Sequence, residues 1–278
     1  MAKVDLSLLR QWIGRETSSL DAVSPRHTRL LAATLGLQPG GFNPGTRLPP
    51  LWHWIFFLEG LPPAELGPDG HPARGGFLPP VELPHRMWAG GSLEFFSDLK
   101  LGFEVEKRSR IIDIEHKQGR SGELVFVKVL HEIRHEGALA LSEVHDIVYK
   151  EASNRVAPAQ PGPPAAKSSR PFRPDSTLLF RYSALTFNGH RIHYDLDYCR
   201  EVEGYSNLVV HGPLLATMLA GFAEEIGGRP LRTFRYRGVR PSLLGSTLSV
   251  NAGEGSGPLE LWIGLPDGTV SMRATATF

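Results

Sequence analysis

The chain has 278 residues, 41% hydrophobic and 21% charged, a balance that fits folded soluble domains and excludes disorder and a membrane class. Lys+Arg 30 against Asp+Glu 29 leaves a formal charge of +1, so no global field draws nucleic acid or an anionic membrane, and anions must be met by local arginines. The single cysteine, Cys199, excludes an internal disulfide and a thiolate metal cluster, which fits a reducing compartment, by default the cytoplasm.

In chain order, MAKVDLSLLRQWIGRE reads as a short amphipathic helix with Asp5, Arg10 and Arg15 among apolar positions, without the apolar core or cleavage site of a signal peptide. No uncharged run approaches the ~18 residues of a membrane span. SPRHTRLLAATLGL predicts a capped helix, with Ser24 at the N-cap, Pro25 at the first position and Gly36 near the end. SLEFFSDLKLGFEVEKRSRIIDIEHK, ELVFVKVLHEIRH and ALALSEVHDIVYKE, parted by turns at QGRSG and EG, predict at least three antiparallel strands. RVAPAQPGPPAAKSSRPFRP, residues 155–174, reads as a linker, because its prolines remove backbone donors and no apolar period survives. It separates residues 1–154 from 175–278, each long enough for a domain.

Beyond it, LLFRYSALTF predicts a strand, TFNGHRIHYD a polar loop, DLDYCREVEGY a short helix and GPLLATMLAGFAEEIGG a long one. LRTFRYRGV, STLSVNAGE, LELWIGL and TVSMRATATF predict four closing strands. In the long helix Leu214, Leu215, Met218, Leu219, Phe222 and Ile226 recur at helical spacing with apolar neighbours almost all round, as a helix enclosed by a sheet should. The expected architecture is α+β, a double hotdog of two antiparallel sheets, each wrapped round a central helix.

HEIRH, residues 131–135, satisfies the H-E-x-x-H pattern of zinc peptidases, which needs its two histidines on one helical face. The flanks are strand-like, and in a strand positions i and i+4 lie roughly 13 Å apart, so no zinc site is expected there. The polar loop differs, because NLVVHGPLLATML places His211 and Gly212 just before the long helix and Pro213 in its first turn. A helix N-terminus offers unpaired N–H groups and a positive dipole end, suited to an oxygen gathering negative charge; a plain helix cap is the alternative. No nucleophile elbow or glycine-rich phosphate loop occurs, and Cys199 has no base assigned to it.

TFNGHRIHYDLDYC followed by NLVVHGPLLATMLAG resembles the MaoC-like, or hydratase 2, family, whose signature G-D-x-N-P-[IL]-H precedes a V-H-G helix start. The resemblance implies that His193 stands at the catalytic histidine, Asn188 at the catalytic aspartate, His190 at the asparagine, Arg191 at the proline and Gly212 at the oxyanion-hole glycine. Asparagine for aspartate resembles the branch of mitochondrial 3-hydroxyacyl-thioester dehydratases and bacterial itaconyl-CoA and mesaconyl-C4-CoA hydratases. LPPLWHWIFFLEG and PHRMWAGGSLEFF are similar to its N-terminal FAS1-like dehydratase domain.

That resemblance implies reversible addition of water across the α,β double bond of an acyl-CoA thioester. The acyl group expected is C5 dicarboxylic, itaconyl or mesaconyl, giving citramalyl-CoA. Straight-chain 3-hydroxyacyl-thioester dehydration and a non-catalytic acyl-thioester binder are the alternatives. No metal and no cofactor is implied beyond the CoA of the substrate, and pairing into a homodimer is left open. Catalysis is expected from His193 as proton carrier, Asn188 as positioning group and Gly212 as oxyanion site. His190, Tyr194 and His211 flank the site. Arg86 and Arg191 are candidates for a free carboxylate; Arg235 and Arg237, with Arg232 and Arg240 near the ends of their strand, for the CoA phosphates or for plain surface. The first half lacks the motif and is expected to wall the pocket without a site of its own, with Trp52, Trp54, Phe56 and Trp88 lining it or packing as core.

Overall fold

The computed structural model describes residues 4–119, 122–151, 162–163, 165–255 and 257–278. Asp5 caps a one-turn helix α1 (Leu6–Leu9) by accepting from the amides of Ser7 and Leu8, and Ser24 caps α2 (Pro25–Thr34) by accepting from His27 N. Between them runs β1 (Glu16–Ala22), and after them β2 (His85–Phe95), β3 (Glu104–Gly119), β4 (Gly122–His135) and β5 (Ala138–Lys150). The predicted three-strand meander is β3 to β5, with β2 and β1 added on its flanks.

The second half contains β6 (Ser168–Phe172), α3 (Ser176–Leu185), α4 (Leu196–Tyr198) running into a π turn, α5 (Gly212–Gly227), and β7 (Thr233–Gly238), β8 (Leu248–Ala252), β9 (Leu259–Gly264) and β10 (Val270–Thr277). All ten strands form one sheet in the order β1-β3-β4-β5-β2-β7-β10-β9-β8-β6, each neighbouring pair antiparallel. The two expected sheets thus join edge to edge through β2 and β7, from Gly90↔Arg237 to Glu94↔Thr233. Gly90 and Gly91 are required at that seam, since a Cβ on Gly91 would press on Tyr236 Oη and the Val144 carbonyl.

Helix α5 crosses the inner face of β7 to β10, burying Leu214, Leu215, Leu219 and Phe222, and Gly228 closes it in the left-handed conformation at φ +62. The first half has no helix of that length among the described residues. Its inner face is covered by α2, by a tight turn over Trp52–Ile55 that opens on Leu51 at φ +67, and by the segment around Val81 and Leu83. No described helix is long and apolar enough to cross a membrane.

Two segments depart from the sequence expectation. LLFRYSALTF, predicted as a strand, forms α3: Asp175 accepts from Leu178 N at 2.7 Å, and Leu179, Tyr182 and Leu185 bury one helical face while Phe180 stays outside. Aromatic and leucine content favoured a strand, but the cap and the three-residue spacing of the buried side chains decide for a helix. The expected linker lies partly outside the described residues, and its end is β6, paired with β8 alone, where an edge position tolerates Pro171. His131, by contrast, lies in β4 as expected, bonded to Ser109 Oγ and His145, while His135 meets the Glu104 carbonyl.

Two stability outcomes follow. Leu219→Ala removes a fully buried side chain beneath the sheet and should cost about 3 kcal/mol. Asp175→Ala should cost about 1 kcal/mol by uncapping α3. Urea unfolding of each variant against the parent measures both.

Candidate active site

Between the halves lies a cavity of about 1070 Å³, lined from the first by His71, Arg86 and Trp88 and from the second by Asn188, His190, His193 and Gly212. The loop carrying Asn188 and His193 is built locally. After α3, Phe187 turns the chain at φ +48, Asn188 N donates to the Ser183 carbonyl at 2.8 Å, and Asn188 Oδ1 accepts from His190 N at 2.9 Å. A single 3-10 turn, Arg191–His193, then swings His193 inward.

His193 is buried, and its Nδ1 lies 2.7 Å from the Val209 carbonyl. A carbonyl only accepts, so Nδ1 carries the hydrogen and Nε2 keeps a lone pair. The ring stacks on His211 with centroids 3.6 Å apart, and His211 in turn bonds Ser183 Oγ at 2.8 Å. Burial pushes the His193 imidazole down to about 3, against a smaller upward effect of the Val209 carbonyl. Burial, with repulsion from His71, does the same to His190, also to about 3, and burial pushes His211 well below the usual histidine range. The site is a set of neutral imidazoles, each with one ring nitrogen unprotonated.

Gly212 opens α5, where its amide has no acceptor within the helix, and a Cβ there would come within 3.6 Å of Trp88. Trp88 itself stands edge-on to Trp54, centroids 4.8 Å apart, which fixes its ring as cavity wall. Trp52, Trp54 and Phe56 belong to the core instead.

The other predicted residues disperse. Arg86 lines the cavity, with its guanidinium 3.8 Å from Asp69. Arg191 turns away, bonding Asp195 Oδ2 at 2.8 Å, the Pro68 carbonyl at 3.2 Å and the face of Tyr198. Tyr194 is exposed and donates to the Gly189 carbonyl, and His211 is buried behind His193 rather than in the cavity wall. Arg235 and Arg237 are exposed and alternate with buried Phe234 and Tyr236, so they leave the sheet on the side away from the cavity. Cys199 is buried, donates to the Ile192 carbonyl, and burial pushes its thiol up.

Two groups escaped the sequence reading. Asp69 and His71, in GPDGHPARGG, reach the loop of Asn188 and His193 from the first half: the His71 and His190 rings lie 4.2 Å apart. Gly70 and Gly189 touch backbone to backbone, and Arg191 N donates to the Asp69 carbonyl at 3.0 Å. Asp69, His71 and His190 carry ligand atoms all within 4.8 Å of one another, close enough to share a cation, although the Arg86 guanidinium already faces Asp69. The only hint in sequence is a histidine inside a turn-rich stretch. His85 and Glu203, 2.8 Å apart, tie the halves at another point of the same cavity.

Histidines held neutral make stability depend on pH. Because the folded values of His190 and His193 lie below the unfolded ~6.5, the unfolded chain binds more protons, and stability is full above about pH 6.5 and falls as pH drops toward 3. Each should remove about 1 kcal/mol per pH unit in that window. Urea midpoints at pH 7.5 and 5.5 should differ accordingly, and less so in His190→Asn.

The family model of hydroxyacyl-thioester dehydratase type 2 matches residues 51–244. The mesaconyl-C(4)-CoA hydratase of Chloroflexus aurantiacus is 40% identical over 267 residues, covering 95% of either chain. A MaoC-like dehydratase of Phytophthora capsici superposes over 99% of this chain and 98% of its own, with a TM-score of 0.73 at 13% identity. A double-hotdog protein of Mycobacterium tuberculosis covers 96% of either chain, with a TM-score of 0.55 at 12% identity. These two superpositions speak for the fold alone, a double hotdog. With its central 194 residues matched and a relative at 40% identity along nearly all of its length, the chain belongs to the hydroxyacyl-thioester dehydratase type 2 family.

Proposed function

We propose that the chain is a hydro-lyase that adds water reversibly across the α,β double bond of an acyl-CoA thioester. The observation that carries this reading is His193, a neutral imidazole whose Nε2 is its free acceptor, in one cavity with the helix-opening amide of Gly212. His193 Nε2 takes a proton from water as the oxygen adds to Cβ, and the electron pair of the double bond moves to the thioester oxygen. The Gly212 amide and the positive end of α5 hold that oxyanion. His193 then returns the proton to Cα, so one water has been added and the enzyme is restored. The charge of the transient imidazolium, disfavoured by burial, is offset by the enolate formed beside it. These steps draw on protein groups and the thioester alone, with CoA as part of the substrate.

For the acyl group the reading is a C5 dicarboxylic acid of the mesaconyl or itaconyl type. Support comes from the named activity of the Chloroflexus aurantiacus relative, and from Arg86, a largely buried cation in the cavity wall that could meet a free carboxylate. Of the arginines expected at the CoA phosphates only Arg240 lines this cavity, paired with Asp267 at 3.0 Å, and it is assigned that role together with Lys150. Residues 1–154 serve as pocket wall and 175–278 as the catalytic half, acting in the cytoplasm. The second reading, dehydration of straight-chain 3-hydroxyacyl thioesters, is favoured by the family match and by the apolar stretch of wall at Phe77, Ile147 and Leu215.

Mesaconyl-C4-CoA and itaconyl-CoA should both be better hydrated than crotonyl-CoA, followed by loss of enoyl-thioester absorbance; turnover of crotonyl-CoA alone would overturn the dicarboxylic assignment. His193→Ala should lower kcat by about 1000-fold and Asn188→Ala by clearly less, because Asn188 cannot ionise and only positions. Equal losses in single-turnover hydration would remove that division of roles. Gly212→Ala should fold normally, its new methyl meeting Trp88 at ordinary contact distance, yet lose activity through hindered approach to the amide.

A further inference from the structure

We propose that His71, oriented by Asp69, holds the attacking water opposite His193; this deepens the hydration reading above and rests on it. A water that adds to Cβ must turn a lone pair to carbon while both its hydrogens are held by acceptors. His193 Nε2 takes one. Asn188 Oδ1 already accepts from His190 N at 2.9 Å, which leaves it a single lone pair beside an NH2 that only donates, whereas a neutral imidazole offers an uncommitted acceptor nitrogen.

His71 has the needed character. Its Nδ1 lies 3.2 Å from Asp69 Oδ2, and Asp69 also accepts from His71 N at 3.1 Å. Burial alone would raise the Asp69 carboxyl, but the bonds from His71 and the nearby Arg86 guanidinium outweigh it and keep the group ionised. An ionised carboxylate only accepts, so His71 Nδ1 carries the hydrogen and Nε2 is the free acceptor of the ring, the tautomer His193 adopts against Val209. Each half of the chain thus contributes one such imidazole to a single cavity.

The placement is built into the backbone. Gly70 lies so close to Gly189 that a Cβ on it would overlap the Gly189 carbonyl, and Arg191 anchors the same loop through the carbonyls of Asp69 and Pro68, at 3.0 and 3.2 Å. The loop of the first half is therefore positioned by the catalytic loop of the second.

In the hydration direction the O–H bond facing His193 breaks, its proton passes to His193 Nε2, and the O–Cβ bond forms. The second O–H stays intact, bonded to His71 Nε2, and becomes the hydroxyl of the product. His193 then protonates Cα. In reverse, His71 holds the departing hydroxyl.

Steady-state hydration of mesaconyl-C4-CoA by the full chain tests this with His71→Ala and His71→Gln, the second keeping an acceptor near the Nε2 position. His71→Ala should lower kcat about 100-fold with KM within about 3-fold, and His71→Gln should recover at least about tenfold of the loss. An unchanged kcat in His71→Ala, a change in KM alone, or a glutamine variant no better than alanine would overturn the role. Activity lost on chelator treatment and restored by zinc would also overturn it, turning Asp69, His71 and His190 into metal ligands. A wild-type chain that hydrates no enoyl thioester would instead remove the functional reading itself.

Discussion

The pairing of β2 with β7 is the contact on which the rest of the structure depends. Each half alone would leave a long strand edge open, and unpaired N–H and C=O groups on such an edge are unstable or invite aggregation. Joining the halves satisfies both edges and extends one sheet across ten strands. It also brings the turn-rich loop around His71 against the loop carrying Asn188 and His193, because both hang from elements fixed by that seam. The cavity between the halves is a consequence of the same contact, and so is Trp88, a β2 residue that meets Gly212 at the start of α5.

Inside the cavity one physical effect governs the chemistry. Removing imidazoles from water disfavours their charged form, so His190 and His193, and His211 stacked behind His193, stay neutral where exposed histidines would be partly protonated. Neutrality alone would leave the tautomer undecided. The Val209 carbonyl settles it for His193 and the Asp69 carboxylate for His71, each by accepting the Nδ1 hydrogen. Neutrality and direction thus come from different sources, burial for one and a single hydrogen bond for the other.

The first half shows how a hotdog can lose its long helix and stay packed. Ser109, His131, His145, Glu143, His53 and Trp54 form a bonded polar band across its inner face, between the two apolar clusters of the core. Glu143 is buried, yet its carboxylate accepts from His53, His145 and Trp54, which satisfies it without water. The HEIRH stretch that mimics a zinc motif contributes its first histidine to this band.

Periodicity and local chemistry in the sequence determined the meander, the capped α2 and the enclosed α5 with its HGP start, while the family resemblance singled out Asn188, His190, His193 and Gly212, which all line one cavity. Those features depend on residues close together in the chain, where caps and spacing speak directly. The helix α3 was misread because its aromatic content outweighed an Asp175 cap, and β1 and β6 were missed because edge strands can be polar or carry proline. Only the tertiary structure decided which arginines face the cavity, since Arg86 and Arg191 read alike in sequence and differ only in what packs beside them. Only it could bring Asp69 and His71 to a loop more than a hundred residues away, because proximity across a sheet seam leaves no local pattern for the sequence to display.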